Sequence, residues 1–507
     1  MYYIVKNFHK ISVKGGNKLT INFTKKVRKI LLRISMIALV IVGFGYLSIE
    51  MKTQSTMAFK DKDSINNYTM DVIFDEEKKT LLCNQNLKYI NNTNQNLDKI
   101  YLHIYPNAFS KEDYAPFEKN EMKKAYPNGF DEGYIDIQNV LSQDKKLEYN
   151  IKGDKDDILE VKLSKELKEN EVISIDMKYE VKLPNSTGRF GYGDNTINIT
   201  NWFPIACVYD DRGWNLKSYE TIGDPFYSET SDFDVKVMVP KKYKIGTTGE
   251  IINQKQDQEK TLYEIKASSV RDFAFVLSEK FDIDKEMYKG TEISTYNLNE
   301  EISEEVTEIA KDSIKIFSEL FGKYPYSTYS VIASDFFIGG MEYPTLVMID
   351  ESLYTEENKF VLEYVIAHET AHQWWYSVIG NDEISEPWID EALTEYSTVL
   401  YFEEKYGKDV SDKLLHHMEI QSQDYDNEDV FKETHQYRNS TEYSLNVYTK
   451  GALIFDEIRK DIGDEKFFDT LKQYYETFMY ENVNSDKFKK LWEEQGADIE
   501  KIIPQYK

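Results

Sequence analysis

Cysteine is nearly missing. Cys83 and Cys207 are the only two in 507 residues. Two thiols cannot build a disulfide framework or a thiolate zinc site; free, buried thiols are expected. Glycine and proline, 23 and 11, are too few for a collagen-like or low-complexity chain. Positive charge is also short. Sixty-two Lys and Arg face 89 Asp and Glu, a net −27, which leaves no basic face for a nucleic acid. Histidine occurs only seven times, so any ordered His spacing is informative. What is plentiful is apolar and aromatic material, 41% and 14%, enough for sizeable cores and too much for wholesale disorder. A chain of this length holds two or three domains.

A second absence is local. Residues 1–49 contain no acid and nine cations, so a +9 leader precedes a remainder of −36. Residues 30–49, ILLRISMIALVIVGFGYLSI, carry one charge, Arg33, near the start. Twenty helical residues span about 30 Å, the thickness of a hydrocarbon core. The basic cluster stays cytoplasmic by the positive-inside rule, which sends the rest outward. A cleaved signal peptide is the competing reading. No small-x-small cleavage site follows directly, which favours an uncleaved anchor. The expected order is a cytoplasmic leader (1–29), a single-pass transmembrane anchor (30–49) and a linker (50–65).

Beyond the linker the pattern changes twice. From 66 to 285, short alternating segments such as 70–74, 172–183 and 233–239 predict a β-rich domain. From 286 to 507 the pattern predicts an α+β domain that becomes mostly helical. Strands are expected at 293–297 and 329–334. Helices are expected at 300–321, 357–379, 387–406, 408–424, 444–462, 465–479 and 485–496.

The strongest motif is His368-Glu369-Thr370-Ala371-His372. Positions i and i+4 share one helix face, so both imidazoles reach one metal ion. Glu391 follows 19 residues after His372 on the next expected helix. Two histidines and a glutamate leave a fourth position open, the donor set of a catalytic zinc rather than a structural one. One Zn2+ per chain is expected. Glu369 is placed to act as general base on the zinc-bound water, then as acid toward a leaving amine. Glu395 shares the helix face of Glu391. It fits equally a partner for a ligand histidine or a solvated carboxylate.

Taken together, His368, Glu369, His372 and Glu391 resemble the gluzincin pattern of the M1 aminopeptidases. Gly339-Gly340-Met341-Glu342-Tyr343-Pro344 resembles that family's G-x-M-E-N exopeptidase motif. The resemblance implies that Glu342 binds the free α-amino group of a peptide, with Gly339, Gly340 and Met341 lining the substrate main chain. Tyr343 stands where the family has Asn, which opens the question of what holds this loop. Tyr448-Thr449-Lys450-Gly451-Ala452 resembles the Y-x-K-G-A segment, which implies that Tyr448 stabilises the oxyanion. Residues 201–226, including Asn201-Trp202-Phe203-Pro204 and Asp224-Pro225-Phe226, resemble the closing part of the family's N-terminal domain, with no catalytic role implied. Asp390 replaces the family's Asn; both accept a hydrogen bond, so little effect is expected.

The resemblance implies a saddle-like β domain and a thermolysin-like catalytic domain, without the large C-terminal helical domain of longer members. The implied function is a membrane-anchored zinc aminopeptidase with its catalytic part outside the cytoplasm, acting on peptides with a free N-terminus. A zinc endopeptidase, an epoxide hydrolase and an inactive scaffold of the same fold are the alternatives. Nothing in the sequence demands an oligomer.

Overall fold

Strict alternation builds the first half. The strand Asn66–Asp75 buries Tyr68, Met70, Val72 and Phe74 and turns Thr69, Asp71 and Ile73 outward, the period-2 pattern of a half-buried strand. The computed structural model describes residues 65–299, 301–423 and 429–506. The expected leader, the expected anchor and the linker up to residue 64 lie outside the described residues. Among the described residues, no helix is long and apolar enough to cross a membrane.

The strand Asn66–Asp75 lies inside an eight-stranded sheet, between Ser231–Pro240, its parallel neighbour, and Thr80–Ile90, its antiparallel one. Two four-stranded sheets and a two-stranded one, Tyr209–Asp210 with Gly213–Trp214, complete this half. One four-stranded sheet holds Gly191–Tyr192 and Ile197–Ile199 as an antiparallel pair. Cys83 and Cys207 are buried and unpaired, as expected.

The second half begins with a five-stranded sheet. Its order is Asp282–Tyr288, Thr291–Asn297, Thr328–Ser334, Leu346–Asp350 and Gly340–Met341. The hairpin Asp282–Asn297 straddles the boundary expected at 285/286, and its pairing assigns it to this sheet. Gly340–Met341 is the edge strand, so the Gly339–Pro344 motif of the sequence sits at a sheet border. The helix Ser303–Leu320 buries Val306, Ile309, Ala310, Ile314 and Phe317, a stripe at helical spacing that packs on the sheet.

Two helices carry the metal motif, Lys359–Ala371 and Trp388–Tyr406. The first is buried on every face from Val361 onward. It stops at Ala371, eight residues before the end the sequence predicts. After His372 the chain turns back: the Ser377 amide donates to the His372 carbonyl at 2.9 Å. Gln373 leaves the helical path to accept from the Thr345 amide at 2.7 Å and donate to the Tyr343 carbonyl at 3.2 Å. Apolar residues continue through this turn because it is buried, and burial rather than helical period set the pattern that the sequence shows. A second difference falls at 444–462. Ser444–Lys450 is a π-helical turn that runs into the α-helix Gly451–Ile462; such turns recur at functional sites.

Arg271, a buried cation of the β half, ties the halves together. It donates to the carbonyls of Val378 at 3.3 Å and Glu481 at 2.6 Å in the helical half.

Candidate metal and substrate site

His368, His372 and Glu391 are buried, and one ligand atom from each lies within 4.8 Å of the others. The Nε2 atoms of His368 and His372 stand 3.4 and 3.2 Å from the same oxygen, Glu391 Oε2. Their other ring nitrogens are occupied. His368 Nδ1 donates to Glu395 Oε2 at 3.0 Å, and His372 Nδ1 to the Trp375 carbonyl at 3.0 Å. This arrangement sets the tautomer that leaves both Nε2 lone pairs facing inward, as metal ligation requires. Glu395 is therefore a buried partner of His368 and not a solvated carboxylate. Its other oxygen accepts from Tyr364 Oη at 2.5 Å. Glu395→Gln should weaken metal affinity about 10–100-fold, read by competition against a chelator.

A second group overlaps the first. Glu342, Glu369 and His372 also offer ligand atoms within 4.8 Å of one another. Glu369 lies against the backbone of Gly340: a Cβ there would come 2.1 Å from Glu369 Oε1. Only glycine permits this approach, which ties the edge strand to the His-Glu helix. The Gly339 carbonyl accepts from the Asp350 amide at 2.9 Å, and Met341 is buried beside it. Glu342 is 3% exposed, and its Oε1 has no hydrogen-bond partner among the described residues.

Tyr448 reaches the site from the π-helical turn and donates to Glu391 Oε1. Its ring stacks on His368, with centroids 5.6 Å apart. Gly451, one turn on, packs so tightly on the Glu391 helix that a Cβ would lie 2.4 Å from Ala392 Cβ. Gly451→Ala should cost about 1–3 kcal/mol of stability through overpacking. It should also lower kcat by moving Tyr448 against Glu391, checked by denaturant unfolding and initial rates.

The charges around the site are mostly negative. Burial pushes the Glu369 carboxyl up to about 8; His372 opposes this, and Glu391 and Asp224 add to it. Burial and then Asp224 push Glu342 well above the usual carboxylate range. Burial acts against ionised Glu391, yet the two imidazoles hold it well below that range. Burial would lower His372, but Glu342 and Glu391 outweigh it and raise it. So many buried carboxylates around two convergent imidazoles fit a divalent cation together with a further positive group.

Asp224 is a site residue that sequence reasoning passed over. It comes from the β half, pairs with half-buried Arg189 and faces Glu391 and Glu342. Its segment was visible as Asp224-Pro225-Phe226, but nothing in the spacing linked it to a site more than a hundred residues away. Asp390 accepts from Asn381 Nδ2 at 2.8 Å, the role expected of it.

Residues 305–506 match the model of the peptidase family M1 domain. The matched stretch contains all the expected metal, catalytic and substrate residues, from Gly339 to Tyr448, but not the motifs at 201–226. Over 231 residues the chain is 25% identical to Aminopeptidase B of Rattus norvegicus, a match covering 40% of this chain and 33% of that protein. Over 225 residues it is 28% identical to Aminopeptidase N of Lactococcus lactis subsp. lactis, covering 39% and 25%. The chain thus spans a third or less of these relatives' lengths. The fold extends beyond the M1 domain. An M1 zinc metallopeptidase from Deinococcus radiodurans superimposes with a TM-score of 0.63 at 15% identity, covering 87% of this chain and 93% of that one.

Proposed function

We propose that the chain is a zinc-dependent aminopeptidase that removes single residues from the free N-termini of peptides. One observation carries this reading: a buried carboxylate, Glu342, has an oxygen without a hydrogen-bond partner among the described residues and offers an oxygen within 4.8 Å of Glu369 and His372. A buried anion left so is costly, and the ammonium of a substrate supplies the missing charge. His368, His372 and Glu391 would hold the zinc, which when bound activates water and polarises the scissile carbonyl.

The protein's own groups do the remaining work. Glu342 pairs with the α-ammonium and sets the register, so that the first peptide bond lies over Glu369. Glu369 takes a proton from the attacking water and delivers it to the nitrogen of the leaving amine. Tyr448 turns its hydroxyl from Glu391 to the developing oxyanion and stabilises it by hydrogen bonding. Glu395 and the Trp375 carbonyl keep the two imidazoles oriented throughout.

The location of the enzyme is read from residues 1–49. Their charge asymmetry and apolar run support a single-pass anchor with a cytoplasmic N-terminus and an extracytoplasmic catalytic part.

A panel of aminoacyl reporter substrates, each free and N-blocked, tests the reading. Free substrates should be cut, blocked ones spared, and a zinc chelator should abolish turnover with recovery on adding zinc back. Equal cleavage of blocked substrates would instead support an endopeptidase. Purified protein without zinc and without turnover would support the inactive scaffold.

A further inference from the structure

Glu342 stands near the end of a loop that leaves the strand Thr328–Ser334 and runs to Tyr343. The Asp350 amide on Gly339 and Gln373 Nε2 on the Glu342 and Tyr343 carbonyls hold its backbone from the helical half; three further points along it are held from one stretch of the β half, residues 188–201. At the start, Asp335 Oδ2 accepts from the amides of Asn195 at 2.5 Å and Thr196 at 2.9 Å. Asn195 Nδ2 donates to Asp335 Oδ1 at 2.7 Å and to Glu351 Oε1 at 2.8 Å, so this amide lies between two carboxylates. The contact is reciprocal: the Asp335 amide donates to Thr196 Oγ1 at 3.0 Å, and Asn198 Nδ2 donates to the Asp335 carbonyl at 3.1 Å. Next to Glu342, Arg189 Nε donates to Met341 Sδ at 3.1 Å. On its far side, Tyr343 Oη donates to Asn201 Oδ1 at 3.1 Å, and Asn201 Nδ2 donates in turn to Asp272.

We infer that the β-half segment 188–201 is the template that positions Glu342, with Asn195, Asp335, Asn201 and Tyr343 as positioning residues for recognition of the substrate amine. The inference rests on the amine-anchor reading of Glu342 given above. The physical reason is the weakness of the loop alone. Gly339 and Gly340 leave it little local restraint, and Gly340–Met341 pairs with a neighbouring strand on one side only. Hydrogen bonds at both ends convert it into a fixed arm. Tyr343 is the residue that makes the second end reach: its phenol spans the distance to Asn201, and it is fully buried on the way. The segment 188–201 thereby makes the β half part of substrate selection.

The test uses the full chain with zinc bound. Asn195→Ala and Tyr343→Phe are combined in the wild-type background and in a Glu342→Gln background. KM and kcat are measured on a free aminoacyl reporter, with zinc content by elemental analysis and the thermal midpoint alongside. The double variant should raise KM about 10-fold or more, toward the ~10²-fold that a 1 Å misplacement can cost, with kcat and zinc content unchanged. In the Glu342→Gln background the same double variant should change KM less than twofold, because residues acting through one group are not additive. An unchanged KM in the wild-type background overturns the inference, as does the same loss in both backgrounds. A joint fall of kcat, zinc content and thermal midpoint also overturns it, since that marks general loosening. If Glu342→Gln by itself leaves KM unaltered, the amine-anchor reading has failed and the inference falls with it. If Glu342→Gln raises KM and the double variant does not, only the inference has failed.

Discussion

Glu369→Gln should lower kcat by about 10²–10⁴-fold while leaving the metal bound. Gln keeps the shape of the side chain and its place against Gly340, but it cannot accept and return a proton. The metal ligands are on other residues, so zinc content should stay at one per chain. The environment explains why a carboxylate suits this task here. Burial holds the Glu369 carboxyl up to about 8, with His372 opposing, and it is 2% exposed. A nearby divalent cation brings such a group down toward neutrality, where taking and releasing a proton are both accessible. Steady-state rates on a free aminoacyl reporter, paired with elemental analysis, check the prediction. A kcat above a tenth of wild type would remove Glu369 from the role of base.

Glu342→Gln has the second large effect, and its signature is different. Removing one partner of a buried charge pair costs about 2–5 kcal/mol. At 1.4 kcal/mol per tenfold, that is a loss of roughly 30- to 4,000-fold in kcat/KM for substrates with a free amine. Most of the loss should fall on KM, because the ammonium is bound in the ground state as well as in the transition state. Weak residual cleavage of N-acetylated substrates, where it can be measured, should not change. Comparing the two substrate types for each variant separates the roles: loss of Glu369 harms both, loss of Glu342 only the free one.

Much of this was legible in the sequence. The metal set could be read because an i, i+4 histidine pair on a helix has one geometry, and the following helix can return Glu391 to it in only a few ways. Strand alternation in 66–285 translated into sheets for the same reason: one face is buried and the other is wet. Other features were not legible. The helix Lys359–Ala371 ends earlier than its apolar pattern suggests, because Trp374 and Trp375 are buried by the surrounding structure and not by a helical stripe. Glu395 could be read two ways until Tyr364 and His368 were seen on either side of it. Tyr343 left open what holds its loop, and the answer, Asn201, lies 142 residues earlier.

The sequence by itself therefore named the residues on which the proposed chemistry rests: the two histidines and Glu391 as ligands, Glu369 as proton carrier and Glu342 as partner of the ammonium. It also determined the charge asymmetry on which the membrane proposal rests. These are properties of short segments, in which spacing along one helix or strand sets distance in space. Tertiary structure alone decided how the site is held. Asp224 and Arg189 reach the carboxylate cluster, residues 188–201 grip the Glu342 loop, and Gly451 lets Tyr448 approach Glu391. Each is a contact between segments far apart in the chain, and such contacts follow from packing and burial rather than from any local pattern of residues.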